Sequence, residues 1–183
     1  MKHTGFNLSR LDIDQVAIPY QRFKGKYYTI NELGFMLGEA PLEQYWRMRC
    51  YPASGLYTTV SDLSHFLIAH MNDGVYNSTR ILKKETVELM HETQPNNSWY
   101  GLAWEHESVR DISVTGHSGT FPGVYTEMLY NQTADIGVIL LTNGDPAYGL
   151  LPYRGYYPVI SILYSLFTKE GTLRGETQNE FTI

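Results

Sequence analysis

Thr115-Gly116-His117-Ser118-Gly119-Thr120-Phe121-Pro122-Gly123 lies between two segments of strand character, and its reading decides the fold. Just upstream, Ile112 to Thr115 reads as a short strand. Downstream, Val124 to Tyr130 and Ile136 to Thr142 form a hairpin joined by the polar loop Asn131 to Asp135. Ile136-Gly137-Val138-Ile139-Leu140-Leu141 is continuously apolar, the pattern of a strand covered on both faces. With a further short strand at Tyr100 to Glu105, residues 98–142 are predicted to be a set of antiparallel strands.

Outward from this stretch the period changes. Thr59-Val60-Ser61-Asp62 has the form of a helix start, with Thr59 accepting amide bonds and Asp62 in the first turn. Val60, Leu63, Phe66, Leu67 and Met71 follow at helical spacing, and Gly74 supplies a stop. A shorter helix is expected from Lys84 to His91, burying Val87 and Met90, before Pro95-Asn96-Asn97-Ser98 breaks it. Residues 56–95 are therefore a helical region. A closing helix over 157–169 starts at Pro158, with Val159, Ile162, Leu163 and Leu166 as its apolar stripe. The tail from Gly171 is polar and expected to fray. Residues 1–55 show little periodicity and are broken by Gly25, Gly34, Gly38, Pro41 and Pro52. They read as an irregular excursion over the surface of a larger body. The expected architecture is α+β, an antiparallel sheet covered by helices, in one single or partial domain over 1–183.

Composition bounds the function. A chain of 183 residues suits one domain. Its 43% apolar and 18% charged content is that of a soluble globular protein. No run approaches the roughly 20 apolar residues of a membrane span, and the first residues lack a basic-then-apolar signal. A net charge of −5 with scattered basic residues argues against nucleic acid as a partner. Cys50, the single cysteine, excludes an internal disulfide framework, and His65 and His70 are five apart rather than at a metal-binding i, i+4 spacing. Neither a metal nor an organic cofactor is expected. Fifteen tyrosines fit aromatic packing; an aromatic-lined cleft or carbohydrate-binding face is the functional alternative. Trp46, Trp99 and Trp104 read as core or rim residues, with Trp104 also a candidate cleft wall.

The chemistry centres on His117. It follows a strand, and Gly119 removes a side chain where a ligand would lie against the backbone. A strand edge there offers an amide donor and a carbonyl acceptor to an extended, peptide-like ligand. Ser118 as a nucleophile on a Gly-x-Ser-x-Gly elbow fits poorly: the fifth residue is Thr120, and a strand rather than a helix follows.

Pro52-Ala53-Ser54-Gly55-Leu56-Tyr57-Thr58-Thr59-Val60-Ser61-Asp62-Leu63, then Gly74, Arg80-Ile81-Leu82 and Gly116-His117-Ser118-Gly119, resembles the serine β-lactamase family. That family includes class C β-lactamases, penicillin-binding DD-peptidases, D-aminopeptidases and related esterases. Met1-Lys2-His3-Thr4-Gly5-Phe6 is similar to the Gly-Met-x-x-Thr segment near the middle of such proteins. The resemblance covers residues 1 to 168 and corresponds to the family's C-terminal half, so an incomplete β-lactamase/transpeptidase-like fold is expected. Three elements build the family's site: a Ser-x-x-Lys nucleophile, a Tyr-x-Asn region and a Lys/His-x-Gly strand. This chain has no Ser-x-x-Lys and no Tyr-x-Asn; His117-Ser118-Gly119 matches the third element. The resemblance implies that His117 orients a substrate carboxylate or the catalytic tyrosine, that Gly119 permits close approach, and that the Thr120 amide is one of two oxyanion donors. Ser118, Trp104 and Phe121 are the accompanying substrate-binding candidates. It also implies a small-molecule or peptide-like substrate, a missing N-terminal half as a partner, and no activity of the chain alone. Family members are often extracytoplasmic.

Overall fold

The structure is a computed structural model that describes residues 1–37, 52–144 and 161–168. In chain order these form a hairpin of β1 (Tyr20–Phe23) and β2 (Lys26–Thr29), helix α1 (Ile30–Leu37) and helix α2 (Val60–Met71). A short hairpin of β3 (Val75–Tyr76) and β4 (Thr79–Arg80) and helix α3 (Lys84–His91) follow. Strands β5 (Glu105–Val109), β6 (Ile112–Phe121), β7 (Val124–Asn131) and β8 (Ile136–Thr142) come next, and residues 161–168 form helix α4. The last four strands make one antiparallel sheet in the order β5-β6-β7-β8. The fold is α+β, with helices on an antiparallel sheet.

Strand alternation sends neighbouring residues to opposite faces, and each face finds a helix. On one face Val109, Val114, Tyr125, Leu129, Ile136 and Val138 pack with Leu163 and Phe167 of α4. On the other, Tyr130 meets Leu67 of α2 and Trp104, flanked by Phe66, Met71, Met90, Met128 and Ile139. The apolar run of β8 follows from this double cover. Ile136 and Val138 enter the first core and Ile139 borders the second. At Gly137 a Cβ would stand 2.8 Å from Leu67 and 3.0 Å from Met71.

Two apolar stripes differ from expectation. On α4 the buried pair is Leu163 and Phe167, four apart, while Ile162 is 47% and Leu166 38% exposed. Helix rotation sets this: the sheet takes the stripe one residue further round. Pro158 and Val159 lie outside the described residues. On α2 Leu67 is buried, but Val60 is exposed and His70 joins the core. His70 Nδ1 lies 3.2 Å from His91 Nε2, and the His70 ring is 4.5 Å from that of Trp104. Tyr130 Oη in turn lies 2.8 Å from His91 Nδ1. Burial pulls both imidazoles down to about 4, helped at His91 by the neighbouring His70 and His106.

The start of α2 does more than end a loop. Thr59 Oγ1 accepts the Asp62 amide at 3.1 Å, the cap the sequence announces. The Asp62 carboxylate, itself buried, accepts the His3 amide at 2.7 Å and the Thr4 hydroxyl at 2.9 Å. Gly5 and Tyr57 exchange backbone hydrogen bonds at 3.0 Å. The first residues are thereby fastened to α2. Burial pushes the Asp62 carboxyl up, but the bonds from His3 and Thr4 and the N-terminal ammonium outweigh it and hold it below its ordinary value.

Residues 1–37 are more ordered than the sequence reading of an irregular 1–55 region. Lys24 and Gly25, both at positive φ, close β1 onto β2 in a two-residue turn. Thr29 and Glu32 then form a reciprocal capping box that starts α1: Glu32 Oε2 accepts the Thr29 amide at 2.8 Å and Thr29 Oγ1 accepts the Glu32 amide at 3.2 Å. This unit packs on the β6–β7 turn, where a Cβ at Gly123 would stand 2.7 Å from Pro19 and 2.8 Å from Ile30. It is also tied to the end of β8, the Tyr20 amide donating to the Asn143 carbonyl at 2.8 Å. Gly38, Pro41, Trp46 and Cys50 lie outside the described residues. In the helical region the β3–β4 hairpin was not anticipated; Asn77 and Ser78 at positive φ make its turn.

Candidate active site

The decisive feature is a change in the neighbours of β6 along its length. β7 follows β6 to its end, at Phe121↔Val124. β5 stops earlier, at Glu105↔Gly116. β6 is therefore an inner strand up to Gly116, and beyond it no described strand covers that side. The strand is ten residues long, so His117 sits within it rather than at the end of a short strand.

Alternation decides which backbone groups face the opening. In an antiparallel ladder each residue turns its N–H and C=O the same way, and its neighbours turn theirs the other way. A two-residue turn joins Val109 to Ile112, so these form a bonded pair. Ile112, Val114 and Gly116 then face β5, and Ser118 and Thr120 face the uncovered side. The Pro122-Gly123 turn gives the same phase from the other end, since Phe121 is bonded to Val124. The Thr120 amide and carbonyl thus point where a ligand strand would lie, and Thr120 is exposed.

Gly119 turns its backbone toward β7. A Cβ there would stand 2.6 Å from Thr126 Oγ1, so the missing side chain answers the packing of the neighbouring strand. Gly116 is stricter: a Cβ would run into the Met128 carbonyl and the Leu129 backbone.

The His117 side chain is 42% exposed at the opening. Its Nδ1 is 2.5 Å from the Ser118 carbonyl oxygen, its Nε2 is 2.9 Å from Tyr100 Oη, and Glu105 Oε1 lies 3.7 Å from Nε2. Ser118 projects from the same sheet face as Glu105, Glu107 and Glu127, by the register of β5, β6 and β7. Glu127 is 5% exposed; its Oε1 accepts the Tyr125 hydroxyl and its Oε2 has no partner. Burial raises the Glu127 carboxyl, against the lowering effect of that hydroxyl. Glu107 is pushed up to about 7, first by burial, then by a hydrogen bond with Glu105 and the charges of Glu127 and Glu105.

Phe121 is half-buried beside the turn that ends β6. Trp104 does not join the opening. It is 2% exposed in the second core, with its ring 4.3 Å from that of His91, and it is a packing residue rather than a cleft wall. Tyr100 and Glu105 are the neighbours of His117 that sequence reading missed. They lie 17 and 12 positions away, and no local pattern connects them. Among the described residues no group of three His, Cys, Asp or Glu side chains is arranged to hold a metal ion. A hollow lined by Lys2, Thr4, Gly5 and Arg10 shares no residue with the β6 edge.

A helix-covered antiparallel sheet with a His-x-Gly strand half open along one edge is the sheet-bearing part of a serine β-lactamase or penicillin-binding-protein-like fold. A family model described as Beta-lactamase matches residues 1–157, and the chain belongs to that family. Among solved structures, the octameric penicillin-binding protein homologue from Pyrococcus abyssi matches with a TM-score of 0.58 at 20% identity. That match covers 90% of this chain and 34% of the other, so the chain spans about a third of that protein's length. A comparison with curated proteins found no match. No helix among the described residues is long and apolar enough to cross a membrane.

Proposed function

We propose that this chain forms one wall of the active site of a serine hydrolase acting on amide or ester bonds through an acyl-serine intermediate, the nucleophile lying outside these 183 residues. The uncovered edge of β6 at Ser118–Thr120 carries the reading, because it offers an amide and a carbonyl in strand geometry beside an imidazole. The Thr120 amide would stabilise the oxyanion, His117 would orient a substrate carboxylate or the base, and Gly119, Ser118 and Phe121 would flank the bound chain. The substrate would be a small molecule or an extended peptide-like one.

Magnitudes set what the chain does alone. One oxyanion donor is worth roughly 10²–10³ in rate, whereas losing the serine nucleophile costs on the order of 10⁶. With no Ser-x-x-Lys and no Tyr-x-Asn, the isolated chain should form no stoichiometric adduct with a penicillin probe by mass spectrometry. It should still bind N-acetyl-D-alanyl-D-alanine, with NMR shifts centred on the Thr120 amide. A penicillin adduct, or saturable binding that leaves β6 unperturbed, refutes the reading.

The absence of both motifs also favours a second reading, a non-catalytic binding or regulatory module of the same family. Adding a polypeptide that carries Ser-x-x-Lys and Tyr-x-Asn separates the two. Restored turnover supports the hydrolase; binding without turnover supports the module.

A further inference from the structure

We propose that Glu105, Glu107 and Glu127 form an anionic recess beside the open edge of β6, which takes the ammonium group of a long basic side chain on the extended ligand. This inference rests on the ligand-edge reading above and adds the charge of the ligand to it.

Register puts the three carboxylates on one face of the sheet. Glu105 lies opposite Gly116 and Glu107 opposite Val114, while Ser118 lies opposite Glu127 on β7. Alternation sends all of them to the side on which Val114 and Leu129 pack against α4. The row is graded in depth: Glu107 is exposed, the Glu105 side chain is 14% exposed, and Glu127 is 5% exposed. Between Glu105 and Glu127 the strand β6 contributes only Gly116 and Ser118, two small residues.

The negative charge is not balanced from within. Among the described residues no lysine or arginine is paired with any of the three, and the one basic contact is His117 Nε2, 3.7 Å from Glu105 Oε1. Glu105 and Glu127 both act on Glu107, and Glu105 acts on Glu127, so the three share one field. The deepest carboxylate is also the least satisfied. Glu127 Oε1 accepts the Tyr125 hydroxyl, but the buried Oε2 has no hydrogen-bond donor. An acceptor left in that state is costly, and a donor brought by a ligand removes the cost.

The kind of cation follows from the spacing. No group of three His, Cys, Asp or Glu side chains among the described residues is arranged for a metal ion. An ammonium asks less, since its three N–H donors turn freely on a flexible stem. Because β5 ends at Glu105, a ligand continuing its line faces Ser118, and the side chain it carries there points to the glutamate face. Glu127 stands two strands in from that line, roughly 10 Å at the usual strand separation. A four-carbon stem crosses Ser118 to meet the Glu127 side chain; a short or branched one leaves Oε2 without its donor.

The test uses the full chain at about pH 8, above the value of about 7 to which Glu107 is pushed. N-acetyl-D-lysyl-D-alanine and N-acetyl-D-alanyl-D-lysine are titrated beside their Nε-acetylated forms, followed by backbone amide shifts and by the ¹³C shifts of the glutamate carboxyls. One of the two free amines should bind roughly ten- to a hundred-fold more tightly than its acetylated form. Glu127→Gln and Glu105→Gln should each shrink that preference, and Glu88→Gln, on α3, should leave it intact. If Glu127→Gln loses its amide dispersion, the acetylated ligands and Glu105→Gln decide. Equal affinity for the free and acetylated peptides, or a preference that survives in both site variants, overturns the proposal. n-Butylamine, which needs no strand edge, separates the two readings. Peptides that shift β6 with no charge preference refute the recess and leave the ligand edge standing. Glu127 carboxyl shifts with butylamine but no peptide binding support the recess and refute the ligand edge. No response to the amine or the peptides refutes both.

Discussion

Replacing His70 with glutamine should flatten the acid side of the stability profile. His70 is 3% exposed, its Nε2 has no partner, and its ring packs on Phe66 and Trp104. Burial lowers it from 6.5 to about 4 in the folded chain. Between those values the unfolded chain binds more protons than the folded one, so stability is complete above about pH 6.5 and falls as the pH drops toward 4. At about pH 5 the gap to the unfolded value is about 1.5 pH units, and at about 1.4 kcal/mol each the loss is about 2 kcal/mol. Urea unfolding followed by tryptophan fluorescence at about pH 7.5 and pH 5 gives the pH-induced loss for each protein. Glu107 and Glu127, both raised, drive an opposite trend, but they are present in both proteins and cancel in the difference. The wild type should lose about 2 kcal/mol more than His70→Gln over this interval. Glutamine keeps an amide within reach of His91, which separates the effect of charge from that of a lost hydrogen bond. Parallel losses, within about 0.5 kcal/mol, would refute the claim that this imidazole is buried uncharged.

Three further outcomes are expected. Gly123→Ala should destabilise by about 2 kcal/mol in thermal unfolding, because φ is +75° and the new methyl would press on Pro19 and Ile30. Asp62→Ala should release the first residues from α2, read as faster hydrogen exchange at the Gly5 and Tyr57 amides with the α4-side core unchanged. Glu107→Gln should raise the melting temperature at about pH 8 but not at about pH 4. A carboxyl whose folded value is raised stabilises below its unfolded value of about 4.5 and loses that contribution as the pH passes about 7.

Much of the fold was legible because its signals are local. The Thr59–Asp62 cap, the Lys84–His91 helix and the hairpin ending at Thr142 are each encoded within a few residues. The β1–β2 hairpin and α1 carried such signals too, in Lys24-Gly25 and Thr29-x-x-Glu32, but the frequent glycines and prolines around them masked the period. The site divides in the same way. His117-Ser118-Gly119 could be found from the sequence, and the outward direction of Thr120 follows once the two short turns are known. The stopping point of β5 at Glu105 could not be read, nor could the approach of Tyr100 to His117, because both depend on contacts between distant segments. Trp104 was misplaced for a related reason: an aromatic residue before a strand suits a rim as well as a core, and it is the pairing with His70 and His91 that takes it inside.

The half-covered strand carries a liability. Over residues 117 to 121 no described strand covers one side, where Ser118 and Thr120 turn their backbone groups outward, and an extended polypeptide can pair there, including the same stretch of another molecule. Association by this route would follow concentration and would compete with small peptides. Gly119 and the part-exposed imidazole in the segment keep such a seam short and poorly zipped. Solubility and ligand capture are thus settled on the same handful of atoms.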